Sequence, residues 1–89
     1  MAEIHVGANS SVGRLISEAA EKLQTDQEVR LTGLNYSASR VIDVAEALKH
    51  KVKNLHQKNE IESLSEEGRN KTRFTIVLSL KPLGKGLGV

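Results

Sequence analysis

Arg69, Lys71 and Arg73 recur at every second position just after Glu66-Glu67-Gly68. Cations in and after a turn, with no nucleophile beside them, are suited to meeting a polyanion. They can contact phosphate oxygens or enter a minor groove, which positions a protein without reading much sequence. The plainer alternative is a solubilised turn whose charge Glu66 and Glu67 partly neutralise, and the residues alone leave both readings open. A second group, Asn9-Ser10-Ser11, is suited to accept bonds from the free N–H groups of a helix start. The same N–H groups could instead hold a phosphate, with Arg14 one turn on supplying charge. A third group is Asn35, Tyr36 and Arg40. Tyr36 is the sole tyrosine, and two readings stand side by side: its ring stacks on an unpaired base, or it packs over the start of the next helix. Arg40 is a further phosphate contact.

Other chemistry finds no support. His5, His50 and His56 have no ligand spacing on one helix face and no clustered carboxylates, so no metal site is expected. There is no cysteine, hence no disulfide and no thiolate site. A nucleophile motif, a phosphate-binding glycine loop and an acid–base pair are all missing. An enzyme, a cofactor and a small-molecule substrate are therefore not expected. Lys49, Lys51, Lys53 and Lys58 are read as partners of a helix dipole rather than as a binding patch.

The elements that must position these residues follow from periodicity. Ile4-His5-Val6 alternates and stops at Gly7, a first strand. Val12, Leu15, Ile16, Ala19, Ala20 and Leu23 form one stripe at helical spacing, which predicts an amphipathic helix over 11–24. Residues 28–32 alternate as a second strand. After Gly33-Leu34-Asn35-Tyr36, Ser37 or Ser39 opens a second helix, with its stripe at Val41, Val44, Ala45, Leu48 and Val52 and with Ile42 and Leu55 beside it. Residues 56–60 read as a polar connection, 61–65 as a weak strand and 66–70 as a turn. Arg73 to Leu80 is a strong strand that places Phe74, Ile76, Leu78 and Leu80 on one face. The order is strand, helix, strand, helix, strand, strand. It implies an α+β fold, a two-layer sandwich with a four-stranded mixed sheet, two helices on one face and a C-terminal basic hairpin. One domain over 1–82 and a flexible glycine-rich tail over 83–89 complete the layout.

Length and charge are consistent with this layout. The chain has 89 residues, one domain's worth, and a core of that size gives a modest margin that pairing with a second copy would widen. The net charge of +2 is unevenly spread. Residues 1–48 carry four basic and seven acidic side chains, net −3, whereas residues 49–89 carry nine and four, net +5. No apolar run is long enough for a bilayer and the start lacks a signal-peptide pattern, so a cytoplasmic or nuclear place of action is expected.

Three segments together resemble the Alba family over about residues 3–81. They are Ile4-His5-Val6-Gly7; the run Leu31-Thr32-Gly33-Leu34-Asn35-Tyr36-Ser37-Ala38-Ser39-Arg40-Val41-Ile42-Asp43-Val44-Ala45-Glu46-Ala47-Leu48; and Glu67-Gly68-Arg69 with Arg73 to Leu80. The resemblance implies a dimer, with itself or with a related chain, that binds DNA, RNA or both. Its body would sit on the backbone while paired hairpins reach along it, and association with chromosomes falls within the family's range. Archaeal members usually carry a lysine pair where Ala8 and Asn9 stand, and a Gly-Arg-Ala loop where Asn35-Tyr36-Ser37 stands. Both departures remove positive charge, and the sequence is closer to the eukaryotic type. They favour RNA or a partner-dependent role over tight nonspecific duplex binding. The alternative is an assembly subunit of a ribonucleoprotein that heterodimerises and binds nucleic acid weakly by itself.

Overall fold

Leu15, Ala19 and Leu23 fall on one side of a helix, as do Val41, Val44, Ala45 and Leu48 on another, and both sets are buried. The computed structural model, which describes residues 2–7 and 9–82, lays these two stripes on one face of a sheet. Its elements are β1 (Ala2–His5), α1 (Val12–Asp26), β2 (Glu28–Leu34), α2 (Ala38–Lys51), β3 (His56–Glu66) and β4 (Arg69–Ser79). The sheet order is β1-β2-β4-β3; β1 lies parallel to β2, and the other pairs are antiparallel. The α+β sandwich expected from the sequence is the one observed. The stated tail lies outside the described residues.

Register explains the core. Ile4, Leu31 and Ile76 align across three strands, Val29 and Leu78 align across two, and all five side chains face the helices. Each such leucine, valine or isoleucine taken fully out of water contributes about 1.5 to 3 kcal/mol. The opposite face carries no helix and is mostly polar, although Val77 is buried on it. Its centre is sealed by Thr32 and Thr75, whose hydroxyls meet at 2.7 Å, both residues being buried. Around them Arg30 Nη2 lies 3.0 Å from Glu60 Oε1, and Lys58 Nζ lies 3.6 Å from Glu60 Oε2.

Four details differ from the sequence reading. The expected polar connection at 56–60 is the first half of β3, which pairs with β4 along its whole length. An edge strand with solvent on its open face and little helix above it buries few side chains, so apolar alternation has nothing to record there. The turn narrows to Glu67 and Gly68, with φ of 51° and 77°. Two successive positive φ values match a two-residue hairpin turn of the I′ type, and glycine at the second position removes the strain there. Leu80 does not continue the apolar face: it is past the end of β4, 39% exposed, its N–H donating to the Gln27 carbonyl. Finally, neither serine caps α2 with its side chain. A single 3-10 turn at Asn35–Ser37 leads directly into the helix.

Candidate nucleic-acid interface

Parallel β1 and β2 end at the same side of the sheet, so the loops that follow them are neighbours. Antiparallel β4 brings its start to that side too, because Leu34 at the end of β2 pairs with Arg73. Residues 69–72 pair only with β3. The hairpin therefore projects past the sheet by four residue pairs, or roughly 13 Å at the rise of a strand. Three loops holding the sequence-nominated residues, or standing directly beside them, gather at this one end.

Two hydrogen bonds fix the loops to each other. Arg40 Nη1 donates to the Ser10 carbonyl at 3.0 Å, which ties the β1–α1 loop to the first turn of α2. Asn35 Oδ1 accepts from the Thr72 N–H at 3.0 Å, which ties the β2–α2 loop to the root of the hairpin. Asn35 has a φ of 47°, a left-handed conformation that asparagine tolerates better than most residues. The sequence reading gave Asn35 and Arg40 to the ligand. The structure gives each an intramolecular partner first, although Arg40 keeps other donors of its guanidinium.

Ser10 is similarly occupied: its Oγ accepts from the Gly7 N–H at 2.9 Å and its own N–H donates to the Gly7 carbonyl. Ser11 is the residue that caps α1, accepting from the Arg14 N–H. Asn9, Ser10, Ser11 and Arg14 line one shallow cleft of about 390 Å³, with Glu18 on its wall. Asn9 and Arg14 are exposed there, and Glu18 offsets part of the charge.

Arg69, Lys71 and Arg73 lie within β4 rather than in the turn, and alternate positions share a face. They form a row that continues the open face of the sheet along the arm. Arg73 is half-buried and held by Glu62 across the strand pair, its Nε donating to Oε1 at 2.9 Å. Arg69, near the tip, is exposed. Glu62 as the partner of Arg73 was missed in the sequence, because it becomes visible only once β3 is in register.

Tyr36 is 92% exposed. Of its two sequence readings, packing over the helix start is excluded. A second cleft, of about 330 Å³, opens beneath this loop between His5, Thr32, Leu34, Ser37, Leu64 and Arg73. Among the described residues no group of three histidines or carboxylates could hold a metal.

On the flank away from α1, α2 leaves another surface uncovered. Lys49 Nζ reaches Gln57 Oε1 at 2.8 Å, so this side of α2 faces β3. Ile42 is two turns back on the helix, about 10 Å, and Ile61 four residues on in the strand, about 13 Å, which brings them to the same level. Ile61 pairs with Phe74, and Phe74 with Gly33, on the helical side of the sheet. Ile42 is 44% exposed and Ile61 71%.

No curated protein sequence matches the chain. In fold it is similar to Alba from Thermoplasma volcanium, at 19% identity and a TM-score of 0.68, covering 86% of this chain and 98% of that one. It is equally similar to ALBA1 from Trypanosoma brucei, at 19% identity and a TM-score of 0.69, covering 96% of this chain and 74% of that one. The sequence pattern of the Alba family matches residues 2–65, and with nearly three quarters of the chain so matched, this protein belongs to the Alba family, whose members generally bind nucleic acid and form dimers.

Proposed function

We propose that this protein binds RNA or DNA as a dimer, contacting the phosphate backbone with the end of the sheet where its three loops gather. The observation that carries this reading is the shared end itself. Family membership supplies the class of ligand, and the Arg40–Ser10 and Thr72–Asn35 hydrogen bonds hold the β1–α1 loop, the β2–α2 loop and the hairpin in one fixed arrangement. Such preorganisation lowers the ordering cost of binding. The flat open face of the sheet is the weaker candidate, because Arg30 and Lys58 are already paired to Glu60 there. The partner in the dimer is a second copy of this chain, or a related one, seated on the Ile42–Ile61–Phe74 flank. Such an arrangement presents two arms to one ligand.

Binding by phosphate contacts has a specific signature. Each neutralised phosphate on duplex DNA contributes about −0.9 to the slope of log affinity against log salt. Fluorescence anisotropy across a salt series on duplex DNA should therefore give a clear negative slope for the native chain. In an Arg69→Ala dimer two arginines are lost, so the slope should become shallower by about 1 to 2. Sequence changes in the DNA should matter little. A slope unchanged by Arg69→Ala would remove the arm from the interface. A native chain that binds no nucleic acid at low salt would overturn the reading as a whole and leave an assembly subunit.

A further inference from the structure

We infer that Tyr36 is a stacking platform for an unpaired base, so that the protein prefers bulged or single-stranded nucleic acid to perfect duplex; this rests on the nucleic-acid reading above and refines it. The chain has two aromatic residues, Phe74 and Tyr36. Phe74 is packed against the core, while Tyr36 is 92% exposed. An aromatic ring left in water on a small domain has no packing role to explain it.

Its setting argues for presentation rather than accident. The residue before it, Asn35, is fixed by its side-chain bond to the Thr72 N–H and by its left-handed backbone. The residue after it, Ser37, is 7% exposed and leads into α2. Tyr36 is therefore an exposed ring between two anchored neighbours. Only its own side-chain torsions remain to be ordered on binding, which is the economy that makes tyrosine an effective contact residue. Arg40, one turn along, is itself held against the β1–α1 loop, and places a cation near enough in the chain to meet a flanking phosphate.

Ring chemistry decides which nucleic acid benefits. In a continuous duplex both faces of every base are covered by neighbours. A bulge, a loop, an end or a single strand offers a free face, and any base can stack because every base has one.

The test compares three ligands of equal length at fixed salt: a perfect duplex, the same duplex with one bulged 2-aminopurine, and a single strand carrying 2-aminopurine. The native chain should bind the second and third more tightly than the first, by about 5- to 150-fold, the range that base–aromatic stacking covers. Stacking should quench the 2-aminopurine fluorescence. Tyr36→Ala should lose the preference and the quenching. Tyr36→Phe, which keeps the ring, should keep both. Circular dichroism and sedimentation of each variant verify fold and assembly, which an exposed side chain should not disturb. Equal binding of all three ligands by the native chain would overturn this inference while leaving the function proposed above intact, as would a preference that survives Tyr36→Ala. A Tyr36→Ala protein of altered oligomeric state would assign the ring to a protein contact instead. Binding to none of the three would overturn both proposals.

Discussion

Replacing Gly33 with alanine should destabilise the protein by about 2 to 3 kcal/mol, near the upper end of what overpacking normally costs. A β-carbon at this position would stand 2.8 Å from Val41 Cγ2, 2.9 Å from Ser37 Cβ and 3.2 Å from the Ser37 carbonyl oxygen. The first contact could be relieved by a rotamer change at some cost. The other two belong to Ser37, the last residue of the turn that leads directly into α2, so that turn and the helix start must lift from β2. For a domain of this size each kcal/mol corresponds to roughly 4 to 8 °C in melting temperature, so a fall of about 10 to 20 °C is expected in a thermal scan. The same lift would strain the Asn35–Thr72 bond that seats the β2–α2 loop on the hairpin. Alanine at Gly13 makes a control, since a β-carbon there meets nothing within 4 Å and should stabilise the exposed helix slightly. A melting temperature unchanged by Gly33→Ala would mean that α2 does not approach β2 as closely as described.

Ile61→Asp should separate folding from assembly. Because Ile61 is 71% exposed, the isolated subunit loses little core packing on substitution. In a dimer closed over the Ile42–Ile61–Phe74 flank, the variant buries an unpaired carboxylate in an apolar contact. A hot-spot residue at the centre of an interface costs about 2 kcal/mol or more when simply truncated, and a buried unpaired carboxylate adds to that, so the dimer dissociation constant should rise by at least about 30-fold. Sedimentation velocity should then find a monomer where the native chain is a dimer, with an unchanged circular dichroism spectrum. Nucleic-acid affinity should fall as well, because a monomer brings one arm instead of two and loses the gain from a tethered second contact. A dimer that persists in Ile61→Asp would place the subunit contact elsewhere.

How much of this was visible in the sequence depended on what each segment buries. The stripes of α1 and α2 were legible because each packs one face on a sheet, and burial of one face imposes the helical period. The core side of β4 was legible for the same reason. The first half of β3 was not, since His56 to Glu60 is polar on both faces and owes its extended form to pairing with β4. At the candidate interface, residue types pointed to loops that the structure gathers at one end of the sheet, but not to their internal bonds. Asn35, Ser10 and Arg40 looked like ligand contacts, and their first partners are Thr72, Gly7 and the Ser10 carbonyl. Those bonds join segments distant in sequence, or depend on a local turn, and no spacing announces them. Exposure of Tyr36 was equally hidden, because a ring before a helix packs inward or outward according to the backbone of its neighbours.

The central claim is that nucleic acid meets the end of the sheet where the β1–α1 loop, the β2–α2 loop and the hairpin arm converge. Its most direct test is an amide NMR titration of the isotope-labelled protein with a short RNA or DNA. The account predicts shifts concentrated at Asn9 to Ser11, Asn35 to Ser37 and Arg69 to Lys71, with Arg30 and Lys58 on the open face little changed. Shifts centred instead on Arg30, Lys58 and Glu60, with the three loops silent, would contradict it.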